Sequence, residues 1–294
     1  MPTIDAPQAH RRAVWTLVFC TLCWSIAGVF TRHLQRAESF EVTFWRSFAC
    51  VACVAAALAW REGRGWWRPI VASGRAGLVS GVMWSIMFTC FMVALTVTTV
   101  ANTLVVMAVA PLLAALLAWL VLREPIAPRT WAAIAVAAGG IWWMVRGGLS
   151  RDGLVGMAIA SGVPIASAIN IVTLKRIGAQ VDLVPAVLIG GVLSCAVTLP
   201  LAWPLDASAR DLAILAGLGV FQLGLPCMLM VGAARHLAPH EIALLALLEV
   251  VFGPIWAWLG AGERPTDATL QGGAVVLAAL VLNELVPRPR MRPA

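Results

Sequence analysis

Apolar residues run along this chain in ten stretches of roughly twenty residues each, separated by short polar connectors. Their approximate limits are 13–34, 39–60, 73–97, 99–122, 130–145, 154–174, 183–203, 210–232, 240–261 and 268–286. A helix of about 20 residues crosses a hydrocarbon core of about 30 Å. The pattern therefore predicts an all-α polytopic membrane protein of ten transmembrane helices, with lipid as its solvent.

Composition points the same way. Hydrophobic residues make up 61% of the chain and charged residues 12%, where soluble domains carry about 25% charged residues. The net charge of +7 does not form a patch suited to nucleic acid, because the Arg and Lys residues lie in the connectors. With the N-terminus inside, fourteen of the 21 basic residues fall in inside segments and six outside, and Arg46 lies within a span. This bias places both termini in the cytoplasm, as expected for a multi-pass protein of a bacterial-type inner membrane. The first apolar run is too long for a signal-peptide core and reads as a retained helix.

Sliding the sequence on itself by 139 residues brings Ala118, Trp119, Leu120, Glu124 and Thr130 onto Ala257, Trp258, Leu259, Glu263 and Thr269. In both places a long apolar helix ends in Ala-Trp-Leu, a Glu follows at the membrane edge, and a Thr opens the next helix. Each Glu and Thr reads as helix-end solvation and capping. Five spans per unit is an odd number, so the second unit enters the membrane from the opposite side and the repeat is inverted. The expected organisation is a cytoplasmic segment over 1–12, five-helix units over 13–146 and 147–286, and a cytoplasmic tail over 287–294. Inverted repeats of this kind are common in secondary transporters, which hold substrate near the midplane between the units.

The motif Pro111 followed by Trp119-Leu-Val-Leu-Arg-Glu124-Pro125, with Glu249 followed by Trp258-Leu-Gly-Ala-Gly-Glu263-Arg264, resembles the ten-helix EamA family of the drug/metabolite transporter superfamily. The resemblance covers essentially all ten spans. It implies an export or exchange carrier whose central cavity is walled by spans 1, 3, 4, 6, 8 and 9. Within that family, Trp24-Ser25 is similar to the corresponding stretch of YddG-type aromatic amino-acid exporters.

Polar groups at mid-depth cost several kcal/mol unless they face protein or water, so they are the first candidates for a site. Glu249, midway along span 9, is a candidate ligand for a substrate amino group or a proton carrier, with a structural acid as the alternative. Trp84 and Phe88 belong to an aromatic and Met-rich face of span 3, which suits a planar apolar substrate or ordinary packing. Trp24 is a second mid-depth tryptophan, beside Ser25. Asn102, Asn170 and Gln222 are candidates for binding a carboxylate or for bonding between helices. Arg46, in span 2, reads more readily as structural, snorkelling to the interface or pairing with Glu249. Pro111, Pro164, Pro226 and Pro254 interrupt spans 4, 6, 8 and 9 and are hinge candidates. Gly139-Gly140 and Gly272-Gly273 are signals of close helix packing.

No cofactor is expected. The two C-x-x-C pairs lack a nearby His or carboxylate, and Pro239 stands between His236 and His240. The lone Lys175 has no glycine-rich loop before it, so no Walker A motif exists. The reading is a secondary transporter, not an enzyme, exporting amino acids or related amphipathic metabolites by alternating access, with aromatic or large apolar amino acids as the best specific choice. Its partners are that small molecule, the bilayer and, as a candidate, protons, and no nucleic acid. A proton-coupled efflux carrier for cationic drugs stays open, as does an intramembrane enzyme or lipid-handling protein, which no nucleophile–base pair in the spans supports.

Overall fold

The computed structural model describes residues 6–123, 125–146, 150–177, 184–233, 236–237 and 239–285, and among these every regular element is helical. Glu124 and Arg235 lie outside the described residues. Ten rods follow the apolar stretches. They are α1 (Ala6–Ser25, continued as Ala27–Thr31), α2 (Ser39–Glu62), α3 (Gly74–Val97), α4 (Val100–Met107 and Ala110–Leu122) and α5 (Pro128–Arg146). The second half supplies α6 (Arg151–Ala160 and Gly162–Ile177), α7 (Val184–Ala202), α8 (Ala209–Gly217, Leu218–Gly224 and Leu225–Ala233), α9 (Pro239–Ala261) and α10 (Asp267–Leu285). Among the described residues, seven of these helices are long and apolar enough to cross a membrane, and Leu245–Ala261 and Asp267–Asn283 are shorter apolar stretches.

The interruptions have local causes. In α1, Ser25 donates its hydroxyl to Leu22 O at 2.7 Å just before the break at Ile26. In α4 the break at Ala108–Val109 precedes Pro111, which has no N–H to continue the ladder. In α6 it falls at Ser161, three residues before Pro164. The middle of α8 widens into a π-helical turn over Leu218–Gly224, directly before Pro226. By contrast α9 runs through Pro254 without a break.

Packing follows the repeat. α1 packs on α8 and α9, and α6 packs on α3 and α4. α2 packs on α7 and α8, α7 packs on α2 and α3, and α5 and α10 pack on each other. Exchanging each helix for its counterpart five places along reproduces this set, so the bundle is two inverted five-helix repeats about a pseudo-two-fold axis. The α5–α10 seam locates that axis. Thr130 donates to Asn283 Oδ1 at 2.8 Å at one end of the seam, and Trp143 Nε1 donates to Gln271 Oε1 at 3.0 Å at the other. This antiparallel register sets the buried Ala137 against the buried Val276, two residues that the 139-residue offset makes equivalent.

The seam closes on glycine. A Cβ at Gly272 would lie 2.5 Å from Gly140 O and 2.4 Å from Met144 Cγ, and one at Gly140 would lie 2.8 Å from Gly272 O. Gly139 has nothing within 4 Å of the same position. Gly272→Ala is therefore expected to destabilise the protein by about 1–3 kcal/mol through overpacking, while Gly139→Ala is neutral or slightly stabilising. Thermal unfolding in detergent checks this, and equal midpoints for the two variants would contradict the seam.

Candidate functional site

Where the two halves meet, α2 carries Arg46 into the interior with no exposed surface. Its Nη1 donates to Gln222 Oε1 at 2.9 Å and its Nη2 to Phe88 O at 3.2 Å. The guanidinium carbon lies 5.9 Å from the Phe88 ring centre and 5.7 Å from that of Phe91. Its Nε has no acceptor. Gln222 in turn donates to Trp24 O at 3.4 Å, so one cation draws together α1, α2, α3 and α8. Glycine makes the approach possible: a Cβ at Gly219, in the π turn that carries Gln222, would lie 2.4 Å from Arg46 O.

α9 supplies the opposite charge. Glu249 is half-buried, and among the described residues its carboxylate makes no hydrogen bond or direct ion pair. It interacts electrostatically with Arg46 without touching it. Phe252 and Trp256, about one and two turns further along α9, stack with ring centres 5.8 Å apart and planes at 18°. Trp256 Nε1 donates to Ser25 Oγ at 3.0 Å, which ties this face of α9 to α1 beside Trp24. Gly253, on the neighbouring strip of the helix, lies against Leu104 of α4.

α3 contributes an aromatic wall. The Trp84 and Phe88 rings lie 5.4 Å apart at 45°, and Trp84 Nε1 is buried with no acceptor. Ser80 Oγ and Asn170 Oδ1 are also buried without partners. A Cβ at Gly162 of α6 would meet Cys90 and Ile86 of α3, and this antiparallel register carries Asn170 to about the level of Ser80. Such orphaned polar atoms are costly in an interior and mark places where a ligand or water is accommodated.

The structure thus gathers Trp24, Ser25, Phe88, Gln222 and Glu249 around Arg46, with Trp84 adjoining through Phe88. Asn170, at about the level of Ser80, makes no hydrogen bond to this group among the described residues. Asn102 joins a different network: its Nδ2 donates to Thr98 Oγ1 at 3.3 Å and its Oδ1 accepts from Thr269 Oγ1 at 3.0 Å, stitching α4 to α10. Pro111, Pro164 and Pro226 each follow a helix irregularity, and Pro254 sits in a continuous helix. The central place of Arg46 was not read from sequence, although a lone Arg two turns into an apolar span was its signal. It does not snorkel, because its side chain is enclosed on every side.

The end of the bundle at which α1 finishes is tied by carboxylates. Arg32 donates its Nε to Glu263 Oε2 and further N–H groups to Leu95 O and to Thr98 O, the last at 2.7 Å. Glu263 Oε1 accepts from Val100 N, the first residue of α4, at 2.6 Å. Glu263 is therefore a cross-link among α1, the α3–α4 connector and the end of α9, rather than a solvated helix end. Asp211 accepts from the backbone N–H of Gln35, Arg36 and Ala37 at 2.9, 3.0 and 3.3 Å. Glu41 accepts from Ala207 N at 2.9 Å. A separate, mainly apolar groove of about 540 Å³ runs between α4, α9 and α10, with Ala101, Val250, Pro254 and Leu270 in its walls and Arg264 and Asp267 among its lining residues.

The model of the EamA-like transporter family matches the chain twice, over residues 11–146 and 154–285. The chain belongs to the EamA-like transporter family. This EamA-like protein is similar to the pseudopaline exporter CntI of Pseudomonas aeruginosa strain UCBPP-PA14, at 25% identity over 226 residues, covering 72% of this chain and 76% of that one. The same protein from strain PAO1 matches with the same identity and coverage. A crystal structure of another protein superposes on 94% of this chain and 97% of its own with a TM-score of 0.65 at 15% identity, a likeness of fold. This chain is a multi-pass membrane protein of transporter type, built from two copies of the family's unit.

Removing the cross-linking acid has a measurable consequence. Hydrogen bonds to a charged group are worth about 1.5–3 kcal/mol, so Glu263→Ala is expected to speed amide exchange at Val100 about tenfold or more. Exchange unchanged from the wild type would show that the cross-link carries no weight.

Proposed function

We propose that this EamA-like protein exports amino acids or related amphipathic metabolites, aromatic or large apolar ones by preference, through a site between its two repeats. The observation that carries this reading is the meeting of an enclosed cation, a carboxylate with no hydrogen bond or ion pair among the described residues, and close aromatic pairs where α1, α2, α3, α8 and α9 converge. Arg46 and Glu249 offer opposite charges to a molecule bearing both. Phe88, Trp84, Phe252 and Trp256 offer polarizable surfaces to its apolar part. Export is favoured over uptake because the relatives of known direction are exporters. Alternating access follows from the inverted repeat: a rocking of one unit against the other exposes the same site first at one end, then at the other. The cross-link of Arg32 and Glu263 holds one end together, and the helix interruptions beside Pro111, Pro164 and Pro226 are the bending points. In this reading the protein sits in a bacterial-type inner membrane with both termini on the cytoplasmic side.

A second reading, a proton-coupled efflux carrier for cationic drugs, draws on the unpaired carboxylate of Glu249 among tryptophan and phenylalanine rings. Uptake of labelled tryptophan, phenylalanine, threonine and alanine into proteoliposomes, with and without a pH gradient, separates the two. Saturable uptake favouring the aromatic pair is expected. Trp84→Ala should lower it about twofold to tenfold, the worth of one aromatic contact of about 0.5–1.5 kcal/mol. Glu249→Gln should remove any dependence on the pH gradient. No uptake above empty vesicles, together with export of lipophilic cations, would replace the amino-acid reading with the drug carrier.

A further inference from the structure

The hydrogen-bond partners of Arg46 do not account for its burying a full positive charge. A guanidinium has five N–H donors, and here two of them have acceptors, both neutral: the Gln222 amide oxygen and the Phe88 carbonyl. The Nε hydrogen is orphaned, and the flanking Phe88 and Phe91 rings bring no negative charge. A helix tether made of neutral groups would hold α2, α3 and α8 together without burying a cation, whose desolvation costs several kcal/mol even after relaxation. A guanidinium matches a carboxylate through two parallel N–H···O bonds, and such charge-assisted bonds are roughly twice as strong as neutral ones.

We propose that Arg46 binds the carboxylate of the substrate, that Gln222 is the internal partner this carboxylate displaces, and that Glu249 binds the ammonium group, so that the carrier selects zwitterions. The proposal rests on the reading of the central cluster as the substrate site and specifies its chemistry. Three further features fit it. Gln222 sits on a π turn, which holds more residues than an α turn; relaxation to α geometry re-aims the amide and releases Nη1. The turn meets α2 through Gly219 and Gly224, which bring its backbone against that of Arg46 and against Cys53. Glu249 interacts electrostatically with the same cation, and among the described residues it forms no hydrogen bond or ion pair with it, so each charge is left for a separate group of a ligand. A monoanion or a monocation would satisfy one of the two charges and leave the other buried and unpaired, the penalty that gives a polar site its selectivity.

The test measures apparent affinities from the concentration dependence of thermal stabilisation of the purified protein in detergent. The probes are phenylalanine, hydrocinnamate, which lacks the ammonium group, and phenethylamine, which lacks the carboxylate. The wild type is expected to prefer phenylalanine to either analogue by about tenfold or more, near 1.4 kcal/mol for each tenfold. Arg46→Gln should abolish the preference over phenethylamine, Arg46→Lys should keep part of it, and Glu249→Gln should abolish the preference over hydrocinnamate. Gln222→Glu leaves Arg46 in place and gives it an internal carboxylate, so it keeps the fold and should lose stabilisation by both carboxylate probes. It carries the test if Arg46→Gln fails to fold. An unchanged preference in Arg46→Gln, or undiminished binding of carboxylates by Gln222→Glu, overturns the proposal. So does a wild type that no carboxylate among phenylalanine, hydrocinnamate, alanine and succinate stabilises. Arg46-dependent binding of carboxylates without transport of amino acids would leave the anion site standing and remove the transport reading instead.

Discussion

Hydrocarbon offers a peptide group nothing to bond with, and that constraint shapes this chain from its composition to its interior. Every described regular segment is a helix that satisfies its own backbone. Where a proline removes a donor, the irregularity is kept beside other helices. Where a side chain brings a charge into the span, protein must replace the water that charge has lost. Arg46 meets the requirement with an amide oxygen, a backbone carbonyl and two aromatic faces, and each comes from a helix other than its own. The cation is thus the point at which the sequence-distant parts of the bundle are made to agree.

The pseudo-two-fold arrangement gives that point its meaning. The repeat axis passes the α5–α10 seam, where glycines let two backbones meet, and the seam joins the halves away from the polar cluster. The cluster draws on both halves: α1, α2 and α3 from the first, α8 and α9 from the second. A site shared in this way changes shape when one half moves against the other. The bonds from Arg32, Glu263, Asp211 and Glu41 fasten the end where α1 finishes, and all of them join segments far apart in the chain. In the proposed alternating-access cycle these are the bonds that open and close that end.

Much of the fold was legible because hydropathy and helix length are local properties. The ten apolar stretches became the ten rods within a few residues, except that α1 begins seven residues earlier, and the 139-residue offset that aligned Trp119 with Trp258 also set Ala137 against Val276 across the axis. The candidate site was readable only as a set of polar and aromatic positions within the spans, without their rotation or partners. Sequence read Trp24, Trp84 and Glu249 as mid-depth and named Phe88 and Gln222 as further candidates, yet it did not distinguish them from Asn102, which bonds to Thr98 and Thr269 in another network. Arg46 was read as a snorkelling or structural residue because nothing local reveals that α3 and α8 close over it. At Gln222 the sequence signalled an interruption through Pro226, but the seating of the π turn against α2 through Gly219 and Gly224 depends on a helix distant in sequence. Glu263 was read as a helix-end solvated acid because its cation, Arg32, is 231 residues away in sequence.

The central claim is that substrate sits among the helices of both repeats, between Arg46 and Glu249. The most direct measurement is a cryo-electron-microscopy structure of the protein in lipid nanodiscs with phenylalanine bound. Density with a carboxylate at Arg46 in place of the Gln222 amide and a ring against Phe88 or Phe252 is the predicted result. Density instead in the apolar groove between α4, α9 and α10, with the Arg46–Gln222 bond intact, would contradict it.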